Sequence, residues 1–165
     1  MTRTATSRTQ QTVRIAGKRT ILTTQNGKVK AKPALPEEWE LQAAQCRALR
    51  ALPEYGKAFL FAGDQNSAKR GPRAQVQATA AGMTAGEADM RCYGTGGRLL
   101  MWENKVGNGR LSPAQVDRHA ALSRIGHNVV VLRATTEDDA AAQAVSLVRG
   151  WLAANDNVRT GVIAA

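Results

Sequence analysis

Apolar positions in this chain change rhythm several times, and each change marks an element. Leu41, Ala44, Ala48 and Leu52 recur every three or four residues, the period of a helix with one buried face. Pro36 and the two glutamates behind it suit a helix start, and Pro53 suits a stop, so the spacing predicts a helix over 36–52. Residues 57–62 predict a strand buried by its aromatics, Phe59 and Phe61. A polar loop over 63–71 carries Asp64-Gln65-Asn66-Ser67 and then Lys69-Arg70, and 72–80 predicts a second helix. Strands over 89–93 and 98–105 flank Gly94-Thr95-Gly96-Gly97, a hairpin turn. Ser112-Pro113-Ala114-Gln115 is a helix start with Ser as N-cap, Pro at N1 and Gln at N3, running to about 123. Residues 128–134 predict a β-branched strand buried on both faces. Thr136 then caps a last helix to about 154, with Glu137, Asp138 and Asp139 in its first turn.

The order α-β-α-β-β-α-β-α, alternating around a hairpin, predicts an α/β sandwich with a central mixed β-sheet flanked by helices. Several function classes drop out. No apolar run approaches the roughly 20 residues of a spanning helix, and the N-terminus has no signal-peptide h-region. Two cysteines, Cys46 and Cys92, are too few for a disulfide framework or a Cys-based zinc site and suit a reducing compartment. A cytoplasmic, intracellular protein with no membrane partner is therefore expected. No Gly-rich Walker or dinucleotide loop is present, so no nucleotide cofactor is expected.

Charge divides the chain unevenly. The formal net charge is +10 over 165 residues, and residues 1–35 hold Arg3, Arg8, Arg14, Lys18, Arg19, Lys28, Lys30 and Lys32 with no Asp or Glu. The remainder is close to neutral. Residues 1–35 read as a basic, mostly disordered arm in which only 20–24 suggests a short strand, 36–155 as the folded domain, and 156–165 as a short tail. A basic arm points to a polyanion, most often nucleic acid. A solubilising tail or an organellar transit peptide are the other readings of such a stretch.

The chemistry concentrates around one strand. Alternation puts Glu103 and Lys105 on one face and Leu100 and Trp102 on the other. Asp89 opens the neighbouring hairpin strand, so two carboxylates and an amine converge at one rim of the sheet. Carboxylates that close repel unless a proton or cation lies between them. A hard divalent cation such as Mg²⁺ takes oxygen ligands and keeps waters and phosphate oxygens. An adjacent lysine can position an attacking water or stabilise charge developing on a phosphate. The pattern suits phosphodiester hydrolysis. The plain alternative is a surface Glu-x-Lys on an amphipathic strand.

Asp89 … Glu103-Asn104-Lys105 resembles the signature of the PD-(D/E)XK nuclease superfamily. Leu111-Ser112-Pro113-Ala114-Gln115, then Leu122, Gly126 and the Val129-Val130-Val131 strand, resemble its VRR-NUC branch, and Glu40-Leu41-Gln42 falls where that family carries an acidic residue. The similarity spans about 36–152. It implies a restriction-endonuclease-like sandwich and a Mg²⁺-dependent endonuclease, with Mn²⁺ able to substitute. Asp89 and Glu103 would be the main metal ligands, the Asn104 carbonyl a third, Lys105 the catalytic lysine, Gln115 a residue projecting to the site, and Glu40 a further metal contact. DNA is the implied partner, with branched structures such as four-way junctions or flaps as substrates. Symmetric cutting of a junction implies a homodimer. Recombination and repair are the implied processes.

The chain departs from the family in having Ala88 where a proline usually precedes the aspartate, and in Glu87, an extra carboxylate that alternation places on the Asp89 side. Gln115 and Glu40 also have ordinary explanations, as a capping-box residue and a first-turn acid. Asn66, Lys69, Arg70 and Arg73, in and after the polar loop, are candidate nucleic-acid contacts or merely solvated polar residues. His119 and His127 lack ligand-like spacing, and Trp39, Trp102 and Trp151 read as core anchors. Two other functions stay open: an inactive nucleic-acid-binding module on a nuclease fold, and a sequence-specific restriction-type nuclease, which would need a larger recognition insert.

Overall fold

The computed structural model describes residues 8–64 and 71–159. The chain divides into two compact units, Met1–Pro36 and Glu37–Ala165.

The first unit corrects an expectation. Residues 8–33 are not disordered but form three antiparallel strands, β1 (Arg8–Ile15), β2 (Lys18–Gln25) and β3 (Lys28–Pro33), in that order. The reason lies in the two connections. Each has two residues, Ala16-Gly17 and Asn26-Gly27, with φ of 48°, 77°, 51° and 71°. Positive φ at both central residues is what a type I′ turn requires, and its twist matches that of paired strands. Backbone pairing carries this sheet, because none of the described residues of the unit is fully buried.

The second unit is a mixed four-stranded sheet with helices. Its strands are β4 (Phe59–Gly63), β5 (Met90–Gly94), β6 (Leu99–Val106) and β7 (Val129–Ala134), in sheet order β4-β5-β6-β7. The first two pairings are antiparallel and the last is parallel. A single 3₁₀ turn, Thr95–Gly97, joins β5 to β6 at the expected hairpin. The helices are α1 (Glu38–Arg50), α2 (Pro72–Ala80), α3 (Pro113–Arg124) and α4 (Glu137–Arg159). Thus α1 starts two residues later than the proline suggested, because Glu37 rather than Pro36 closes its first turn. The last helix runs five residues past the expected end.

Apolar clusters pack both faces of the sheet. On one face α1 and α4 bury Leu49, Ala144 and Val148 against Met90, Cys92, Leu100 and Trp102. On the other, α3 brings Leu122 onto Met101 and Ala88. A fully buried large apolar side chain contributes about 1.5–3 kcal/mol, so the first face, with the wholly buried Trp102, dominates stability. Both edge strands are less covered than their sequences suggest. Leu60 on β4 is largely exposed, and β7 is half-buried for most of its length. Helix α2 buries none of its residues.

Candidate active site

The central strand β6 carries three consecutive polar residues, Glu103, Asn104 and Lys105, all buried. Unpaired, they would cost the fold several kcal/mol, so each needs partners. Asn104 faces α1. Gln45 donates from Nε2 to Asn104 Oδ1 at 2.8 Å and accepts the Trp102 indole N–H at 3.1 Å. This buried chain fixes β6 from beneath. Gln45 interrupts the apolar stripe of α1, and that interruption is the one mark this contact leaves in the sequence.

Asp89 sits where β5 begins. The β5–β6 ladder reaches Met90 opposite Trp102 and stops. The Asp89 carboxylate then takes the place of a partner strand, with Oδ2 accepting the Asn104 N–H at 2.7 Å. Its backbone oxygen accepts the Asp64 N–H at 2.7 Å. One end of the aspartate is thereby pinned to the residue between Glu103 and Lys105.

Glu103 and Lys105 share the other face, as alternation requires. Lys105 Nζ donates to Glu103 Oε1 at 2.9 Å and to Glu38 Oε1 at 3.1 Å. The acid that α1 sends to the lysine is thus Glu38. Glu40, the expected contact, closes a capping box at Glu37, whose N–H donates to Glu40 Oε2 at 2.7 Å. Three acids occur within four residues here, and only the helix phase separates their roles.

Gln115 resolves an apparent competition between two roles. Its Oε1 accepts the Ser112 N–H at 2.9 Å, and its own N–H donates to Ser112 Oγ at 3.2 Å, so the capping box is complete. The same side chain still donates from Nε2 to Glu103 Oε1. One rotamer serves both. Gly86 lets this happen: its φ is +78°, and a Cβ there would stand 2.2 Å from the Ala114 carbonyl oxygen. The loop before Asp89 therefore lies directly on the first turn of α3.

One helical turn beyond Gln115 lies His119, whose spacing in the sequence is not that of a ligand. Its Nε2 is buried 3.7 Å from Glu103 Oε2, too far for a hydrogen bond, and neither atom has a hydrogen-bond partner among the described residues. The i,i+4 relation to Gln115 was the available clue. Glu87 is turned to its own partners rather than to Asp89 and Glu103. Arg118 and Arg91 hold it at 2.7 and 3.1 Å, and despite burial these arginines keep its carboxyl below its ordinary value.

The electrostatics follow from this crowding. Burial, reinforced by Glu103, pushes Asp89 up to about 7. Burial also raises Glu103, against the pull of Lys105. Burial alone would lower Lys105, but its bonds to Glu103 and Glu38 outweigh that and hold it above its usual value. The lysine is therefore a permanent cation at neutral pH. Burial lowers His119, leaving it neutral there. Among the described residues one ammonium, that of Lys105, faces the three carboxyls of Asp89, Glu103 and Glu38, which leaves this cluster short of positive charge.

Among the described residues no group of three or more His, Cys, Asp and Glu side chains is arranged to hold a metal ion. The donor set present is two carboxylates, Asp89 and Glu103, with the Asn104 carbonyl beside them. Magnesium commonly takes one or two carboxylates and keeps waters, so this set fits it, and the orphaned Glu103 Oε2 is a buried oxygen in need of a cation or proton.

Asp89, Glu38, Gln42 and Gln115 line a cleft of about 670 Å³. Trp39, expected in the core, instead lies 62% exposed on its wall, its indole N–H donating to Glu37 Oε2 at 2.7 Å. Arg73 is exposed on α2. Asn66, Lys69 and Arg70 lie outside the described residues. Comparison of the chain with protein-family models, with curated proteins and with solved structures returns no match.

Proposed function

We propose that the larger unit is a restriction-endonuclease-like domain that hydrolyses DNA phosphodiester bonds with Mg²⁺ or Mn²⁺, acting on branched structures such as four-way junctions or flaps. The observation that carries this reading is the charge-deficient cluster in which Asp89, pinned to the Asn104 amide, and Glu103 flank a permanently protonated Lys105. The sheet order β4-β5-β6-β7, with β5 and β6 joined as a hairpin and β7 parallel to β6, supports it, because it brings the start of β5 and the end of β6 to one rim beside an open cleft.

Bound by Asp89, Glu103 and the Asn104 carbonyl, the ion would supply a Lewis acid and an activated water. The chain's own residues do the rest. Gln115 and Lys105 hold Glu103 Oε1 in a fixed position, which preorganises the ligand. Lys105, already charged, stabilises negative charge on the phosphoryl oxygens rather than removing a proton from water. Water adds to phosphorus, the bond to the 3′ oxygen breaks, and the water's proton ends on that oxygen, leaving a 5′-phosphate and a 3′-hydroxyl. Trp39 offers an exposed indole at the cleft wall on which an unpaired base would stack, which favours substrates with single-stranded or splayed nucleotides. Cutting both strands of a junction symmetrically takes two such sites and hence a homodimer.

The test is cleavage of end-labelled four-way junction, flap, single strand and duplex, with Mg²⁺, Mn²⁺ or EDTA. The reading expects metal-dependent cleavage, 5′-phosphate ends and a preference for branched DNA. Binding without cleavage of any substrate would overturn it in favour of an inactive binding module.

A further inference from the structure

The register of the small N-terminal sheet sorts its side chains sharply. Arg19 lies opposite Arg14, Thr23 opposite Gln10 and Lys30, Ile21 opposite Lys32, and Gln25 opposite Arg8 and Lys28. Directly opposed residues share a face, and successive residues alternate. One face therefore carries Arg8, Arg14, Arg19, Lys28, Lys30 and Lys32, interspersed with glutamines and threonines. The bond from Gln10 Nε2 to Thr23 Oγ1 at 3.2 Å places these two side chains together as the register requires. The opposite face carries Val13, Ile15, Leu22 and Val29. No Asp or Glu occurs in the unit to offset the charge.

We propose that this face is a docking surface for the phosphate backbone of nucleic acid, a contact separate from the cleavage site. Lys28, Lys30 and Lys32 are exposed and lie on alternate positions of β3, a row about 13 Å long. The glutamines and threonines between the cations add neutral donors of the kind that contact phosphate and sugar. The face has no aromatic side chain for base stacking, so the contact is with backbone and is insensitive to sequence. A membrane surface fits less well. Interfacial elements insert a face rich in Trp, Phe or Leu, whereas the face opposite these cations has no aromatic side chain and a single leucine, Leu22, set among Thr9, Gln11 and Thr24. The choice of DNA over RNA as probe rests on the proposed function.

The experiment is fluorescence anisotropy of a labelled duplex with the full chain in EDTA, at salt from about 50 to 200 mM. Four proteins are compared: wild type, Lys28/Lys30/Lys32→Gln, the same lysines→Arg, and Lys57/Arg110/Arg124→Gln, which removes three exposed cations from the larger unit. Each phosphate contact adds about 0.9 to the slope of log affinity against log salt, so three lost contacts lower it by about 2.7. The affinity advantage of wild type over the glutamine triple then shrinks about 40-fold between those salt concentrations. The arginine triple keeps the wild-type slope, the control triple stays near it, and a second duplex of unrelated sequence binds equally. Equal slopes for both glutamine triples would overturn the proposal. So would loss of binding in the arginine triple, or binding to phosphatidylserine vesicles without binding to duplex. Since EDTA prevents cleavage, the two readings fail separately. Binding through this face by a chain that never cuts DNA removes the proposed function alone. Cutting by a chain whose salt slope ignores the face removes this inference alone.

Discussion

Asp89 and Glu103 stand in each other's field with one lysine among the described residues, Lys105, for relief, and that imbalance has consequences for pH. An unfolded aspartate titrates near 3.9, whereas burial and Glu103 push Asp89 to about 7. The folded, metal-free chain therefore holds a proton that the unfolded chain releases. Between about pH 4 and 7 this group makes stability fall as pH rises, and above 7 the loss is complete. Urea unfolding in EDTA will show the decline, and Asp89→Asn will flatten it. A divalent cation must displace the same proton, so Mg²⁺ affinity is expected to rise through about pH 7 and level off above it. Calorimetry in buffers of different ionisation enthalpy reads that proton directly, and a pH-independent affinity between 6 and 8 would contradict it. The core of the site was legible at this scale, because Glu-x-Lys on a strand and an upstream aspartate are spacings. Glu38 and His119 were not. Which acid of Glu37, Glu38 and Glu40 reaches the lysine depends on how α1 starts, and His119 matters only once α3 lies across Glu103.

The start of α3 does two jobs with one side chain, and substitution separates them. Ser112→Ala removes the cap acceptor and is expected to cost about 1 kcal/mol while leaving cleavage near wild type. Gln115→Ala loses the cap's return bond and also the donor to Glu103, so it lowers cleavage as well as stability. Parallel unfolding curves and single-turnover rates distinguish the two. Gly86→Ala forces a side chain into the Ala114 carbonyl at a positive φ and is expected to destabilise by about 2 kcal/mol or more. The capping box was plain from Ser112 and Gln115, but nothing local said that the amide nitrogen would be left to reach Glu103. The N-terminal hairpins show the reverse. Asn26-Gly27 between alternating residues is a strong turn signal, although the polar, basic composition around it is that of a disordered segment. A sheet with no buried core breaks the assumption that composition alone decides order.

For the whole molecule, charge and chemistry fall into different units. Six cations of the basic excess, Arg8, Arg14, Arg19, Lys28, Lys30 and Lys32, lie on one face of the small sheet, and the acidic cluster of Asp89, Glu103 and Glu38 lies in the larger one. The elements of the larger unit were nearly all legible because their periods are unambiguous and their caps explicit. The exposure of Trp39 and of both sheet edges was not, because burial depends on which helices cover the sheet. Trp39→Ala is expected to weaken binding of a flap or junction more than of intact duplex, read as the ratio of the two affinities. The measurement that tests the central claim most directly is cleavage of an end-labelled four-way junction in Mg²⁺ by wild type and by Lys105→Ala, each saturating the DNA. Cleavage by wild type, with at least a ~10²-fold loss in the bound variant, is the predicted result for removal of a preorganised cation at the developing charge. Equal cleavage by both proteins would contradict the assignment of this site.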